Sequence, residues 1–202
     1  MTQTARAIPA LEPEPTADQR VILHGVSWSE YETILAIRDR SSRARIAYLE
    51  GELELMSPSR DHEVLAATLG RLLIAYAEER GIELESYRSM TMRKRRRARG
   101  VEADDCYAVG GPKKHPDLAI EVVWTSGGLE KLEIYRGLGV REVWVWERGE
   151  LGVYVLYGER YRRAERSKVL PDLDIDLLMS FTHGKSQTQA VRAYRAALRR
   201  KR

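Results

Sequence analysis

The sequence predicts an α/β fold in which a mixed β-sheet is flanked by α-helices, and three observations support this prediction. Residues 118–124 form an almost continuous apolar run closed by the turn residues 125–128, as expected of a central strand covered on both faces. Residues 60–80 carry apolar side chains at three-to-four spacing, which predicts a long amphipathic helix. Residues 142–165 contain three strand-like segments separated by glycine turns, which predicts a C-terminal β-meander.

Length and composition limit the class of protein. The 202 residues suit one domain, expected at 20–182, between a disordered leader at 1–19 and a basic helix at 183–202. No apolar run approaches the roughly 20 residues that cross a bilayer, so no membrane partner is expected. A single cysteine, Cys106, rules out an internal disulfide and a cysteine-based zinc cluster, and it fits a reducing, cytoplasmic location.

Local signals predict the other elements in chain order. Helical spacing after Val26 predicts a first helix with Tyr31 and Ile37 on its apolar face. Glu50-Gly51 between two strand-like runs predicts a hairpin, and Gly81 ends the long helix. The remaining predictions are a strand at 83–92, a short helix at 129–138, meander strands at 142–147, 151–157 and 161–165, and a closing segment at 170–181.

Positive charge is concentrated in two segments. Residues 93–99 hold six basic residues and no acid, and residues 183–202 hold seven and no acid. The other 21 Lys and Arg are outnumbered by 30 Asp and Glu, so the rest of the chain is acidic although the net charge is +4. This pattern indicates an anionic partner met at particular places, although a run of like charge is usually only a solvated loop.

Glu121 lies in the middle of the central strand, where a carboxylate is costly to bury unless its charge is compensated. One interpretation is a structural glutamate paired with an arginine, and the other is a metal ligand or catalytic acid. Two more polar side chains point toward the sheet, His62 near the start of the long helix and Lys131 within the core-facing arc of the short helix. A histidine bonded to a loop and a lysine reaching out to the helix edge are the plainer interpretations.

Geometry limits which acid can act together with Glu121. Asp117 lies four residues away on the same strand, about 13 Å, which is too far to share one ion. The partner is therefore expected from an adjacent strand, where Asp104 and Asp105 are the nearest acids. One carboxylate from each of two strands suits Mg²⁺, which keeps several waters, and Mn²⁺ is expected to substitute for it.

Such a site fits the hydrolysis of a phosphodiester. A metal held by Asp104 and Glu121 would generate the nucleophile and neutralise charge on the phosphoryl group. Lys131 would orient the water or stabilise the developing charge, and His62 would contribute from the long helix. The basic loop next to Asp104 would grip DNA phosphates without reading the sequence. The candidate nucleic-acid contacts are Arg93, Lys94, Arg95, Arg96, Arg97 and Arg99.

Several short motifs occur together in a characteristic order between about residues 27 and 176. They are Tyr48-Leu49-Glu50-Gly51-Glu52-Leu53, Met56-Ser57-Pro58 with His62, Glu102-Ala103-Asp104-Asp105, Pro116-Asp117-Leu118-Ala119-Ile120-Glu121-Val122-Val123, Lys131, Tyr135, Gly139-Val140 and Glu142-Val143-Trp144. Through these segments the chain resembles the Uma2 family of nucleases, within the PD-(D/E)XK or restriction-endonuclease-like superfamily.

The resemblance implies a restriction-endonuclease-like core and metal-dependent phosphodiester hydrolysis, with Asp104 and Glu121 as the acids of the two catalytic strands. The superfamily normally places a lysine two residues after the second acid. This chain has Val123 there, so Lys131 is interpreted as a migrated lysine, and Ala103 also stands where the family has proline. Nucleases of this superfamily often pair to cut both strands, so a homodimer is one assembly that the sequence leaves open.

Three hypotheses remain. The leading one is a Mg²⁺-dependent DNA endonuclease. The second is a catalytically silent module on the same fold that binds nucleic acid through residues 93–99 and the C-terminal helix. The third keeps the metal but changes the substrate to another phosphate ester, because an acidic body is less committed to DNA than a broad basic face. No base-reading element is evident, so sequence specificity is not predicted.

Overall fold

Two β-sheets form the framework of the protein, which a computed structural model describes over residues 17–41, 44–183 and 186–200. The strands are β1 (Gln19–Leu23), β2 (Arg45–Leu49), β3 (Glu52–Ser57), β4 (Leu84–Ser86), β5 (Thr91–Lys94), β6 (Arg99–Glu102), β7 (Asp105–Val109), β8 (Leu118–Val123), β9 (Glu142–Glu147), β10 (Glu150–Tyr157) and β11 (Arg160–Ala164). The helices are α1 (Trp28–Ser41), α2 (Arg60–Arg80), α3 (Lys131–Leu138), α4 (Ile175–Met179) and α5 (Gln187–Arg200).

The two sheets differ in strand direction. The first has the order β1-β3-β2-β6-β5 and is antiparallel throughout. The second has the order β11-β10-β9-β8-β7-β4 and is mixed, because β8 and β9 run parallel while their neighbours are antiparallel. The predicted α/β fold is thereby confirmed, with a mixed sheet flanked by helices as in a restriction-endonuclease-like core. A separate antiparallel sheet was not predicted.

Strand β8 lies at the centre of the second sheet and is covered on both faces. Ile120 and Val122 pack with α2 in one apolar cluster, together with Trp144 of β9. Ala119 points to the opposite side, into the cluster that lies between the two sheets and includes Tyr135 of α3. Side chains alternate along a strand, so Glu121 faces the same side as Ala119, toward the first sheet.

Helix α2 matches its predicted bounds of 60–80 because both ends carry strong local signals. The Ser59 side chain accepts a hydrogen bond from the His62 backbone N–H at 3.3 Å, which caps the first turn. Gly81 ends the helix with φ 66°, a left-handed conformation that glycine adopts without steric cost. The N-terminus of α2 is thus fixed, and with it the position of His62, which reaches Asp104 just before β7.

Three predictions need correction. The single strand predicted at 83–92 is wrong, because β4 joins the second sheet and β5 the first. The chain crosses between them with Arg88 at φ 53°. The short helix begins at Lys131 and not at residue 129. Ile37 is 59% exposed, so it does not belong to the apolar face of α1.

The chain termini differ partly from the predicted division. Residues 1–16 of the predicted leader lie outside the described residues, but Asp18 is buried and β1 begins at Gln19. The basic C-terminal helix is present as α5, and Tyr194 and Leu198 bury its apolar face against the core. In the described parts of the chain, no helix combines the length and the apolarity that a membrane span requires.

Candidate active site

Asp104 and Glu121 lie opposite each other on neighbouring strands. The register of β7 with β8 pairs Asp105 with Ile120, so the next positions outward are Asp104 and Glu121, on one face of the sheet. The Val122 backbone N–H donates to Asp104 Oδ2 at 2.6 Å, which ties the acid directly to β8. Both residues are buried, and Glu121 is only 4% exposed. The fold therefore brings two carboxyl groups together between the sheets.

The neighbouring acid, Asp105, points to the other face of the sheet. Its Oδ2 accepts a hydrogen bond from the Tyr107 hydroxyl at 2.5 Å, and it lies against Gly70 of α2. Burial raises the pKa of the Asp105 carboxyl. The sequence left Asp104 and Asp105 as alternative partners of Glu121, and only Asp104 lies on the Glu121 side.

Burial dominates the electrostatics of Glu121. It raises the pKa of the carboxyl from 4.5 to about 7, the charge of Asp104 adds to the rise, and the ammonium of Lys131 opposes it. The Tyr135 hydroxyl donates to Glu121 Oε1 and helps to fix its orientation. Glu121 is therefore a carboxyl group that changes its charge near neutral pH.

Lys131 is the first residue of α3, and its side chain turns inward between the sheets. Its Nζ lies 3.1 Å from Glu54 Oε1 on β3, and the side chain is 16% exposed. Burial opposes the charge of the ammonium, but Glu121 and Glu54 outweigh it and raise the pKa of Lys131. The lysine is held protonated, and its charge interacts with Glu121 and Asp104.

His62 is fully buried and bridges two carboxylates. Its Nδ1 lies 3.0 Å from Asp18 Oδ2, and its Nε2 lies 3.0 Å from Asp104 Oδ2. Burial works against a charged imidazole, but these two acids outweigh it and raise the pKa of His62. Arg45 pairs with the other oxygen, Asp104 Oδ1. Despite burial, His62 and Arg45 hold the pKa of Asp104 below its usual range.

We call Asp104, Glu121, Lys131 and His62 together the acid centre. Asp104 lines a cavity of about 340 Å³ together with Asp105, Arg38, Arg45 and Arg88, although its own side chain is only 1% exposed. Both oxygens of Asp104 already have cationic partners. Direct coordination of a metal by Asp104 would require one of these partners to give way.

The predicted nucleic-acid contacts divide into two groups. One group is exposed at the tip of the β5–β6 hairpin and consists of Arg93, Lys94, Arg95, Arg96 and Arg97. We call these five residues the basic turn. Arg99 instead is buried against Gly137 of α3, where it pairs with Glu50 at 2.9 Å and donates to the Glu133 carbonyl at 3.4 Å. We therefore remove Arg99 from the predicted contacts.

Four residues that contact the acid centre were not identified from the sequence. Tyr135 was noted only as a family motif residue, and Asp18 fell within the predicted leader. Arg45 begins β2, and Glu54 lies on β3, where charged residues alternate with apolar ones. That alternation also occurs in strands with a solvated face, so only the packing of the second sheet and α3 onto the hairpin distinguishes Glu54 from a surface residue.

The donor set of the acid centre fits a hard divalent cation. In the described residues, no group of three or more His, Cys, Asp or Glu side chains is arranged to hold a metal. Two carboxylates on one face remain, with a like-charge interaction between them that a cation would relieve. Mg²⁺ suits such a sparse set because it takes one or two carboxylates and keeps several waters.

Comparison with known proteins supports the resemblance seen in the sequence. No curated protein matches the chain. One family model matches residues 28–190, a span that contains the whole acid centre and the basic turn. Its description is "Putative restriction endonuclease". The chain belongs to the Uma2 family.

Proposed function

We propose that this protein is a Mg²⁺-dependent endonuclease that hydrolyses phosphodiester bonds in DNA. The observation that carries the proposal is the pairing of Asp104 with Glu121 across β7 and β8, with the ammonium of Lys131 close enough for its charge to act on both acids. Two acids on one face can hold a cation that activates water, and a lysine can stabilise the charge that develops on the phosphoryl group. The family description, restriction endonuclease, indicates DNA as the substrate.

Asp104 and Glu121 would hold the cation, which would supply Lewis-acid activation of water and neutralise charge on the phosphate. The side chains around them stabilise the developing charge and orient the two carboxylates. Lys131 stabilises negative charge that develops on the phosphoryl oxygens, since its ammonium is held protonated in a water-poor site. Tyr135 and His62 fix the orientation of the two carboxylates through hydrogen bonds to Glu121 and Asp104.

The basic turn would supply grip on the DNA backbone. Its side chains are exposed and lie just before β6, whose other end leads into Asp104. Arg97 lies seven positions before Asp104, so the nearer end of the turn lies within roughly 23 Å of the acid along the extended chain. Lysine and arginine at that distance would contact phosphates that flank the one being cleaved.

Nicking of supercoiled plasmid tests this function. Wild-type protein should nick in Mg²⁺ or Mn²⁺ and stop when EDTA removes the metal. Glu121→Ala should lower the rate by about 10²-fold or more, because it removes a carboxylate that the transition state depends on. Asp105→Asn is the matched control and should stay within about threefold of wild type, since Asp105 points to the other face. Equal rates for wild type and Glu121→Ala would overturn the proposal.

One contact favours the second candidate, a module that binds nucleic acid without cutting it. Arg45 and His62 engage both oxygens of Asp104, so the acid is neutralised without any metal. In that case DNA binding would be salt-sensitive, would need no metal, and would survive Asp104→Ala. Plasmid nicking that requires Mg²⁺ and Glu121 excludes this candidate.

A further inference from the structure

Glu54 of β3 is a buried acid that reaches across from the first sheet to the start of α3. It is 1% exposed, and both of its oxygens have partners. Oε1 lies 3.1 Å from Lys131 Nζ. Oε2 accepts the Leu129 backbone N–H at 2.9 Å and lies 3.2 Å from Arg20 Nε. One carboxylate thus binds both the lysine and the backbone just before it.

The position of Lys131 in α3 explains why the lysine needs such a partner. A cation in the first turn of a helix meets the positive end of the helix dipole, which disfavours it there. The N-cap residue, Glu130, makes no side-chain capping bond. Nothing within α3 itself therefore holds the ammonium in place, and a buried ammonium without an acid is costly.

The backbone approaches Glu54 so closely that a side chain is excluded. A Cβ added at Gly128 would lie 2.6 Å from Glu54 Oε2 and 3.1 Å from Arg20 Cζ. Arg20 also donates from Nη1 to the carbonyl oxygens of Thr125, at 3.2 Å, and Ser126, at 3.0 Å. The segment that precedes Lys131 is therefore docked onto the Glu54–Arg20 pair.

We propose that Glu54 is the positioning residue for Lys131 and that it directs the ammonium toward Asp104 and Glu121. This role rests on the proposed nuclease function, and Glu54 acts on the reaction only through the lysine. In this superfamily the lysine normally stands on the strand itself, but that position is Val123 in this chain. Glu54 therefore supplies the support that the strand would otherwise give to the lysine. A lysine carried by a helix depends on a fixed anchor from the opposite sheet.

Glu54→Gln tests the role while keeping the size of the side chain. The amide oxygen still accepts the Leu129 N–H, but the amide nitrogen then faces the ammonium, donor against donor. We expect kcat to fall 10- to 100-fold with KM for DNA unchanged, and no further fall when Glu54→Gln is added to Lys131→Ala. Glu52→Gln on the same strand, whose side chain is 45% exposed, is the matched control and should retain wild-type kcat.

A second readout does not depend on cleavage. Acetylation of each lysine, followed by mass spectrometry of the intact folded protein and its peptides, measures how enclosed the amine is. Lys131 should react slowly in wild type and at least fivefold faster in Glu54→Gln, whereas Lys113, 40% exposed, should react alike in both. Faster labelling without any nuclease activity in wild type would support the positioning role and overturn the nuclease function alone.

Two results would overturn the positioning role. One is unchanged labelling of Lys131 in Glu54→Gln, and the other is a loss of kcat that adds in full to that of Lys131→Ala. Should Glu54→Gln fail to fold by circular dichroism, Gly128→Ala replaces it. That variant displaces the docked segment without removing a charge, and it should speed the labelling of Lys131 in the same way.

Discussion

The acid centre and the basic turn are joined by a single strand, β6, yet they hold their charges in opposite ways. In the acid centre the charged side chains are largely enclosed, and Asp104, His62 and Lys131 each pair with a group of opposite sign, as with Lys131 and Glu54 at 3.1 Å. In the basic turn five cations are exposed, and the ion pair found there, Arg93 with Glu32, is long at 3.7 Å. Substitutions in the acid centre should alter the rate of hydrolysis, and substitutions in the basic turn should alter the affinity for DNA.

The largest effect that separates the two regions is the salt dependence of DNA binding. Replacing Arg95, Arg96 and Arg97 with alanine removes up to three phosphate contacts, which lowers the salt slope by about 2.7. Between 50 and 200 mM salt, wild type should then lose roughly 40-fold more affinity than the variant. Fluorescence anisotropy with a metal-free duplex measures this slope.

The acid centre should not respond to the same substitution. The nicking rate at saturating DNA should stay at the wild-type value in the triple variant, because none of its three residues touches the acids. An unchanged salt slope would show that the basic turn does not contact DNA. A lower rate at saturation would show that the two regions are not separable.

The second effect is a pH dependence that belongs to the acid centre alone. Glu121 has its pKa raised by burial from 4.5 to about 7, so below pH 7 an incoming cation must displace a proton. Affinity for Mn²⁺ should therefore rise about tenfold from pH 6 to pH 8. Calorimetry on wild type and on Glu121→Gln measures it, and the variant should bind more weakly with a shallower profile.

The raised pKa of Glu121 also predicts how the stability of the protein changes with pH. The unfolded chain releases the Glu121 proton near pH 4.5 and the folded chain only near 7, so this group makes the metal-free protein less stable as pH rises between those values. DNA binding by the basic turn should be flat over pH 6 to 8, because arginine does not titrate there. A pH-dependent DNA affinity together with a flat Mn²⁺ affinity would reverse the comparison.

The features that the sequence predicted correctly are those that neighbouring residues determine. The bounds of α2 and the β2–β3 hairpin depend on neighbouring residues, namely Ser59, Gly81 and the Glu50-Gly51 turn, so they were predicted correctly. The expectation that Glu121 meets an acid of a neighbouring strand needed only two adjacent strands and the distance limit that excluded Asp117, but these did not choose between Asp104 and Asp105.

What could not be predicted depends on contacts between distant segments. Glu52 and Glu54 alternate on one strand and look alike in sequence, yet α3 covers only Glu54. Arg99 looks like its basic neighbours, but it is the position where β6 passes beneath α3 at Gly137. In both cases the packing of α3 onto the first sheet determines burial, and no local pattern records it.

The smallest effect concerns α5, whose run of basic residues looks like the basic turn in sequence. Its arginines are bound to acids of α2: Arg195 pairs with Glu78 and Glu79, and Arg199 lies 2.7 Å from Glu79. Alanine at both arginines should leave DNA affinity within about twofold, since these cations are already neutralised, and should lower the thermal midpoint by a few degrees.

The two arginines lower the pKa of Glu79 from 4.5 to about 2, so their stabilisation is present above pH 4.5 and is lost as pH falls toward 2. Thermal melts of wild type and variant should therefore converge over that range, whereas a large loss of DNA affinity in the variant would make α5 a second DNA contact.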